Sequence, residues 1–507
     1  MAQPISRRQL LAYVGAGSAS LALAACGPWS KDSSRTTAPS LAGDGVSFQP
    51  FESPQEIVSR DGELVATLTA AGGLVSYGKK QRYALSYNGG QPGPTLRARP
   101  GDIMKVTLVN HLDEHTNLHF HGLGVTPAGN SDNPFVMVAP GETYEYEIRI
   151  PKNHPSGTFW YHPHHHGSVA RQVMGGLAGA IVIEDAIDDI DVIAGSTERV
   201  IVLTDPRIGT TASVLEATTA EKQQGREGDV VLVNGCLEPV ITPQADVERW
   251  RIINASPSRY HELRVENATM FQVANGQARF ATAQRRDMIL LTPGQRAEVL
   301  VTARNNGTIT LTSTSVDRGM MSMMGNDAGM GGGMGNGMMG GDTQGLGGTV
   351  AGIVTKVLTV RNAVAGDMVP FSGTLRPADP IPDEVVKKTR RISFGAMGMG
   401  NSEFVIDGRT FDPARTDIDA RLGTVEDWIV TNDSMMPHPF HVHAWAFQVI
   451  ERSSGEPDIG WRDTVNIPAG ESVRIRIPMD RYIGRTVYHC HILDHEDLGM
   501  MGVLNVS

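Results

Sequence analysis

Histidines occur as pairs separated by one residue at four places in this 507-residue chain. Two pairs lie in the first third and two near the end: His119/His121, His162/His164, His441/His443 and His489/His491. Residues i and i+2 of a β-strand project from the same face, so each pair can present two imidazoles in one direction. Neutral imidazole is a common metal ligand, and eight donors are too many for one ion. The pairs therefore predict a centre that holds several metal ions.

The alternative, in which the sixteen histidines are scattered without a common role, fits only part of the set. A lone histidine is more often an ordinary surface or core group than a ligand. Six are set aside on that ground: His111, His115, His154, His165, His166 and His261. The other ten, which include His438 and His495, fall into four clusters. Chance does not explain this clustering, so we interpret the ten as ligands.

One subset near the end of the chain has the composition of a separate site: His438, Cys490, His495 and Met500. Two imidazoles, a thiolate and a weak thioether define a blue-copper electron-transfer site. A structural zinc site is the competing interpretation, but zinc favours four strong ligands and seldom recruits a thioether. Because Cys490 stands between His489 and His491, short covalent paths join its thiolate to the imidazole cluster. We therefore expect electron transfer between the two sites.

A threefold repeat must position these residues. A turn followed by alternating residues recurs as VAPGETYEYEIRIP from Val138, LTPGQRAEVLVTA from Leu291 and IPAGESVRIRIP from Ile467. An earlier strand ends in asparagine in each copy, at Asn110, Asn254 and Asn432. The first and third copies carry the histidine pairs, whereas the second has threonines instead. Together with 57 glycines and 29 prolines between short apolar runs, this predicts an all-β chain built from three copies of one β-domain.

The start of the chain predicts export. Ser6-Arg7-Arg8-Gln9-Leu10-Leu11 resembles a twin-arginine signal, and the apolar stretch up to Ala25 is too short and too rich in small residues for a transmembrane span. Leu23-Ala24-Ala25-Cys26 resembles a lipobox, with a plain signal peptide as the alternative. We assign 1–26 to the signal and 27–46 to a flexible tether. The three domains are placed at 47–190, 191–365 and 366–507.

Charge and cysteine content exclude other classes of protein. The net charge of −11 argues against a nucleic-acid partner, which needs a basic surface. With three cysteines there is no disulfide framework, and Cys236 is expected to be a small core residue. We expect a monomer in the periplasm or cell envelope. Its only membrane contact would be a lipid on Cys26, at the outer face of the cytoplasmic membrane.

The segments HFHG, WYHPHHHG, HPFHVH and HCHILDHEDLGMM resemble the four copper motifs of multicopper oxidases, and the three copies resemble their cupredoxin-like, Greek-key β-sandwich domains. This resemblance implies an oxidoreductase that reduces dioxygen to water with four copper ions. Type 1 copper would be bound by His438, Cys490, His495 and Met500. Type 2 copper would be bound by His119 and His441, and the type 3 pair by His121, His162, His164, His443, His489 and His491. Methionine at position 500 implies a moderate type 1 potential.

Reduction of dioxygen to water consumes four protons, so a carboxylate near the cluster should relay them. Glu496 matches the family's acidic residue beside His495 and is the first candidate. Asp132 is the second, although the spacing around it departs from the copper-efflux pattern by a couple of residues. An ordinary surface or turn carboxylate is the alternative for either residue.

A methionine- and glycine-rich insertion at about 319–348 bears on the substrate. Its thioethers are soft ligands suited to Cu(I), and its glycines oppose a packed element. We predict Cu(I) binding by Met320, Met321, Met323, Met324, Met330, Met334, Met338 and Met339, assisted by Asp433, Met435 and Met436 before His438. The last three resemble the Asp-Met-Met of copper-efflux oxidases, with one extra residue. A low-complexity loop without a role is the alternative.

Three functions follow from these residues. The leading hypothesis is a cuprous oxidase of copper tolerance, similar to bacterial enzymes that include lipid-anchored actinobacterial forms. The second is a laccase-like oxidase of phenols and aromatic amines. The third, a copper-sequestering or electron-carrier protein, is disfavoured because a carrier needs only the mononuclear site.

Overall fold

The computed structural model describes residues 49–77, 80–184, 191–277, 279–318, 352–366, 380–397, 403–455 and 460–507. The predicted signal, tether and lipidated Cys26 lie outside these ranges, as do the eight methionines of the insertion. Across the described ranges, no helix combines the length and apolar character needed to span a membrane. Strands account for 52% of the structure and helices for 7%, which confirms the all-β prediction.

The first unit consists of two sheets around one apolar core. One sheet has the strand order β3-β2-β5-β7, with β2 Glu63–Tyr77, β3 Lys80–Tyr87, β5 Ile103–His111 and β7 Thr143–Arg149. The other has the order β1-β4-β9-β8-β6, with β1 Glu56–Val58, β4 Gly93–Ala98, β6 His119–His121, β8 Gly157–His162 and β9 Gly179–Ile183. In β2, Leu64, Ala66 and Leu68 are buried and alternate with exposed Val65 and Thr67. This period of two explains why the segment folds as a strand with one covered face.

The second unit repeats the arrangement. Its six-stranded sheet has the order β11-β10-β13-β18-β15-β16, with β10 Thr197–Thr204, β11 Leu232–Val233, β13 Val247–Asn254, β15 Ala268–Ala274, β16 Arg279–Arg286 and β18 Arg296–Ala303. Its five-stranded sheet has the order β12-β20-β19-β14-β17, with β12 Val240–Ile241, β14 His261–Glu266, β17 Ile289–Leu291, β19 Gly307–Thr314 and β20 Val354–Ala363.

The third unit has the same two layers. Its six-stranded sheet has the order β22-β21-β24-β29-β26-β27, with β21 Val386–Met397, β22 Glu403–Ile406, β24 Thr424–Asn432, β26 Phe447–Arg452, β27 Trp461–Arg462 and β29 Ser472–Met479. Its five-stranded sheet has the order β23-β31-β30-β25-β28, with β23 Ile418–Ala420, β25 His438–Val442, β28 Thr464–Ile467, β30 Gly484–Cys490 and β31 Met501–Val506. Three β-sandwiches are therefore present, while the domain boundaries given above remain predictions.

Short helices lie in the segments between strands. They are α1 Val169–Gly175, α2 Asp191–Ala194, α3 Thr219–Gln224 and α4 Leu493–Asp497, with 3₁₀ turns at Ala212–Leu215 and Asp383–Val385. Thr218 and Glu221 form a capping box at the start of α3. Asp497 in α4 accepts hydrogen bonds from the amides of Gly167 (2.7 Å) and Ala170 (2.9 Å) at the start of α1. The third unit is thereby tied to the first beside the histidine clusters.

The repeated asparagine and the repeated turn are one structural device. Each asparagine side chain donates to a carbonyl of its own turn: Asn110 to Val138 (2.9 Å), Asn254 to Leu291 (3.0 Å) and Asn432 to Ile467 (2.9 Å). All three asparagines are fully buried. A buried amide without partners would be strongly unfavourable, so these bonds fix where the turn meets the strand.

A buried ion-pair network joins the first and second units. Glu298 is 1% exposed and accepts hydrogen bonds from Thr158 (2.7 Å), Arg251 (2.5 Å) and Arg249 (3.0 Å). Burial alone would raise the pKa of Glu298, but Arg251 and Arg249 lower it to about 2. The carboxylate is therefore charged at neutral pH, and it compensates two buried guanidinium groups.

We expect Glu298→Gln to lower the stability by about 3 kcal/mol, because the buried guanidinium groups of Arg249 and Arg251 lose the more buried of their two carboxylate partners and keep only Glu198. Differential scanning calorimetry at equal metal loading would show a lower Tm. Glu63→Gln is the control, since Glu63 pairs with Lys105 at 2.8 Å on the surface and should leave the Tm unchanged. Equal Tm values for the two variants would contradict a stabilising role of the network.

Candidate metal centres

Two strand pairings bring the histidine pairs of each unit together. In the first unit β6 pairs with β8, and His119 lies opposite His162. In the third unit β25 pairs with β30, and His441 lies opposite His489. All eight imidazoles of the pairs are at most 2% exposed. The strands therefore present them as one buried cluster.

Imidazoles of the first unit face imidazoles of the third at short range. Nε2 of His119 lies 3.4 Å from Nε2 of His441. Nδ1 of His121 lies 3.3 Å from Nε2 of His491. Nε2 of His489 lies 3.1 Å from Nε2 of both His164 and His443. The eight histidines thus form one centre at the contact between the two units.

The arrangement of these nitrogens fits metal ions. Burial first, and neighbouring imidazoles second, lower the pKa of His119, His121, His162, His441 and His443, so these rings are neutral at pH 7. Nε2 of His162 has no hydrogen-bond partner among the described residues, and the donor atoms of His119, His121 and His162 lie within 4.8 Å of one another. Lone pairs converging at such distances repel unless a cation lies between them. Imidazole is a ligand that suits copper.

In several rings, the nitrogen that points away from the other imidazoles has a hydrogen-bond partner. These contacts are His119 Nδ1 to Asp132 (2.9 Å), His121 Nε2 to Asp463 (3.0 Å), His162 Nδ1 to the Pro163 carbonyl (2.8 Å), His441 Nδ1 to the Asp463 carbonyl (2.8 Å) and His489 Nδ1 to the Cys490 carbonyl (2.8 Å). Such partners fix the tautomer and orientation of a ligating histidine. The donor atoms are therefore aimed before any ion binds.

Both carboxylates predicted from the sequence are buried beside the cluster. Asp132 also accepts the Phe120 amide (2.9 Å), and burial raises its pKa to about 7 despite that bond. The oxygens of Glu496 lie 3.3 Å from Nε2 of His164 and 3.1 Å from Nδ1 of His489. Burial alone would raise the pKa of Glu496, but His164 and His489 hold it well below its ordinary value. Neither group is a surface carboxylate.

Two further residues of this centre were missed by the sequence analysis. Asp463 contacts His121 and forms a two-pronged ion pair with Arg296, at 2.7 and 2.6 Å. Arg296 belongs to β18 of the second unit, which carries none of the histidine pairs. Asp463 lies directly before β28 in the segment WRDTV, and nothing in that segment marks it as different from a turn carboxylate. The available signal for Arg296 was its place in the repeat, where the other two copies have Thr143 and Ser472.

A second, smaller site lies in the third unit alone. Nδ1 of His438 lies 3.3 Å from Sγ of Cys490 and 3.3 Å from Nδ1 of His495, which lies 3.9 Å from the same sulfur. All three residues are fully buried, and Met500 is buried in the same apolar cluster. Burial raises the pKa of the Cys490 thiol, so a bound cation is needed for it to ionise. The fold therefore brings together the four residues predicted for the mononuclear site.

The outer nitrogens of this site meet neutral oxygen atoms. Nε2 of His438 lies 2.8 Å from the Ser434 hydroxyl, and Nε2 of His495 lies 3.0 Å from the Gln223 carbonyl. Asp433 is exposed and its amide donates to Phe394 (2.9 Å). Met435 is 65% exposed, and Met436 is half-buried on the same loop. Ser434, rather than Asp433, therefore contacts His438.

The six histidines set aside are absent from the metal-type clusters of the described ranges. His261 lies between the hydroxyls of Ser256 (3.3 Å) and Ser313 (2.9 Å) in the second unit. His154 accepts the Gly124 amide (3.0 Å). Cys236 is partly buried and packs against the small apolar cluster of Val230 and Leu232. These residues have ordinary structural partners.

Known proteins share this arrangement. Family models described as multicopper oxidase match residues 71–187, 197–319 and 382–507. A multicopper oxidase of Staphylococcus haemolyticus is 29% identical, with 87% of this chain and 88% of that protein aligned. The solved structure of a multicopper oxidase from Campylobacter jejuni, titled a metallo-oxidase, has a TM-score of 0.75 at 29% identity and covers 91% of this chain and 94% of that one. A laccase structure from Pediococcus acidilactici has a TM-score of 0.74 at 26% identity, with coverage of 91% and 94%.

The three family matches follow the three sandwiches in order, and the first and third include the histidine strands. Such proteins are copper-dependent oxidoreductases. This chain belongs to the multicopper oxidase family and has its three-domain cupredoxin architecture.

Proposed function

We propose that the protein oxidises Cu(I) to Cu(II) and passes the electrons to dioxygen, as an exported enzyme of copper tolerance. Four Cu(I) ions would supply the four electrons that, with four protons, convert one dioxygen molecule into two waters. The observation that carries the proposal is the position of Cys490. Its sulfur lies 3.3 Å from His438 in the small site, while its neighbours His489 and His491 belong to the large one.

The ligand sets proposed for the four copper ions follow the sequence assignment. His438, Cys490, His495 and Met500 would hold type 1 copper, and His119 and His441 type 2 copper. His121, His162 and His491 would hold one type 3 ion, and His164, His443 and His489 the other; the short nitrogen distances support this grouping. Bound there, copper would supply one-electron oxidation at the small site and dioxygen reduction at the large one.

The chain's own residues provide the connection and the protons. The Cys490 carbonyl accepts a hydrogen bond from Nδ1 of His489 (2.8 Å), so covalent bonds and a hydrogen bond both join the two sites. Glu496 and Asp132 are buried against the imidazoles and can pass protons inward. The remaining walls exclude bulk water, since the imidazoles are at most 2% exposed.

Two observations favour Cu(I) as the reductant. Met435 and Met436 lie on the loop that ends at His438, and soft thioethers suit Cu(I). The methionine-rich insertion follows Arg318 in the chain. The Arg318 guanidinium donates a hydrogen bond to the Gly225 carbonyl (3.3 Å). Gly225 comes two residues after Gln223, whose carbonyl contacts His495. Arg318, the last described residue before the insertion, therefore lies beside the small site. A laccase-like activity on phenols is the second candidate, since one structural relative is titled a laccase.

Replacing Cys490 by serine tests the type 1 assignment. We expect Cys490→Ser to lose the blue thiolate-to-copper absorption and the oxidase activity together, while keeping the copper ions of the large site. Visible spectroscopy, metal analysis and oxygen consumption measure the three properties. A blue serine variant would exclude Cys490 as the copper thiolate.

Replacing Glu496 by glutamine tests proton delivery. We expect Glu496→Gln to keep the copper content and the blue band but to slow oxygen consumption about 100-fold, because a positioned proton donor is removed. Asp132→Asn should slow turnover in the same way but less. Unchanged rates across the pH range in both variants would show that protons arrive by another route.

Removing the insertion separates the two substrate hypotheses. We expect deletion of residues 319–348 to raise the KM for Cu(I) about tenfold, because ligands that concentrate the ion are lost. Phenol oxidation should be unchanged or faster. The fold should tolerate the deletion, since Ser315 already bonds Ile353 (2.9 Å) and Gly352 (3.0 Å) across its base.

A matched control keeps the loop length. Replacing the eight loop methionines by leucine removes the sulfur atoms alone and should raise the KM for Cu(I) as the deletion does. If Cu(I) and phenol kinetics shift by the same factor in both variants, the insertion is not a copper collector, and the laccase-like function is favoured.

A further inference from the structure

A buried arginine of the second unit lies against the small site. Arg318 has a side chain that is 10% exposed, and it pairs with Glu227 at 2.9 Å, whose side chain is 7% exposed. Its guanidinium also donates to the Gly225 carbonyl and lies over the ring of Tyr260 at 5.9 Å. Nη1 of Arg318 has no hydrogen-bond partner among the described residues. Such a charge is costly to bury without a role.

The contacts of Arg318 lead to both imidazoles of the small site. Gly225 ends α3, whose Gln223 carbonyl meets Nε2 of His495 (3.0 Å). Gly225 has a φ of +74°, and a Cβ there would lie 2.6 Å from Ile492, so only glycine lets the backbone approach this closely. On the other side, the Tyr260 hydroxyl lies 3.4 Å from the carbonyl of Pro437, the residue before His438.

Glu227 and Asp205 match Arg318 and Arg259 in number, so position rather than net charge decides which charge acts on the small site. Glu227 is shared with Arg259 (3.1 Å), which also pairs with Asp205 (3.0 Å). The outer nitrogens of His438 and His495 meet a hydroxyl and a carbonyl, neither of which carries a negative charge. Among these charged groups, Arg318 is the one whose contacts with the Gly225 carbonyl and the Tyr260 ring lead to the site, so the site faces the cation of the Arg318–Glu227 pair.

We propose that Arg318 acts through the His438, Cys490 and His495 site to raise the reduction potential of the type 1 copper, and that Glu227 opposes it. The inference rests on the proposed function, in which this site holds copper. Uptake of one electron lowers the charge of the site by one unit, so a nearby fixed cation favours the reduced form. This effect is strong where water is excluded. The type 1 potential is thereby higher than methionine at position 500 alone would imply.

The test is a redox titration of the holoenzyme followed at the blue absorption band. In Arg318→Met the equilibrium constant for oxidising a fixed-potential mediator should fall about tenfold, which is 59 mV for one electron. Arg318→Lys should keep a potential close to wild type, because the charge remains. Glu227→Gln should shift the potential upwards. The control Arg199→Met removes an equally buried pair of the second unit, Arg199–Glu248 at 3.0 Å, and should leave the potential unchanged.

Opposite shifts for Arg318→Met and Glu227→Gln support the inference, since a merely structural ion pair would move both variants in one direction. Shifts of the same sign, or none, overturn it. If Arg318→Met does not fold, Glu227→Gln decides alone, and a potential no higher than wild type overturns the inference. Absence of the blue band in the wild-type holoenzyme overturns the proposed function and this inference with it. A blue band together with an unshifted potential in both variants overturns the inference alone.

Discussion

Neutral imidazoles of the first unit face neutral imidazoles of the third unit across their contact. The rest of the structure depends on this constraint. Nitrogen atoms from the two units lie 3.1–3.4 Å apart in a buried volume where water cannot separate them. Without a cation between them these contacts are unfavourable, so metal binding and the docking of the two units are thermodynamically linked. Hydrogen bonds around the cluster hold the two units in the relative position that the ions require. One example is Asp497, which accepts hydrogen bonds from backbone amides at the start of α1.

The small site is joined to this interface by the backbone of a single strand end. Cys490 is the last residue of β30, His489 precedes it and α4 begins shortly afterwards, so ligands of both sites lie within one short segment. A rigid connection of this kind keeps the distance between the two sites constant when surface loops move. The two-layer sandwich provides that rigidity, because β30 is paired on both sides by β25 and β31.

The sequence predicted the parts of the site that repeat or pair within a few residues. The His-X-His pairs needed only the period of a strand, and the three asparagines could be aligned because each serves the same turn. The sequence did not reveal partners contributed by a distant segment. Asp463 and Arg296 are 167 residues apart and meet only in the folded chain, and the Gln223 carbonyl is a backbone atom with no sequence signature. The sequence also did not reveal that Ser434, and not Asp433, reaches His438.

The second unit explains why a chain with two metal-bearing domains keeps a third. It lacks the histidine pairs, yet Arg296 orients Asp463 against His121 at the large site, and Gln223 and Arg318 lie beside the small one. These contacts come from strands, a helix end and the base of the insertion, and together they control the orientation and electrostatics of ligands that other units supply. Residues that hydrogen-bond to metal ligands set the orientation and basicity of those ligands, so a change in them can alter the copper sites while the ligand motifs stay the same. The determinants of substrate choice in this chain are therefore expected in its second unit and in the loop before His438, outside the motifs by which the family is recognised.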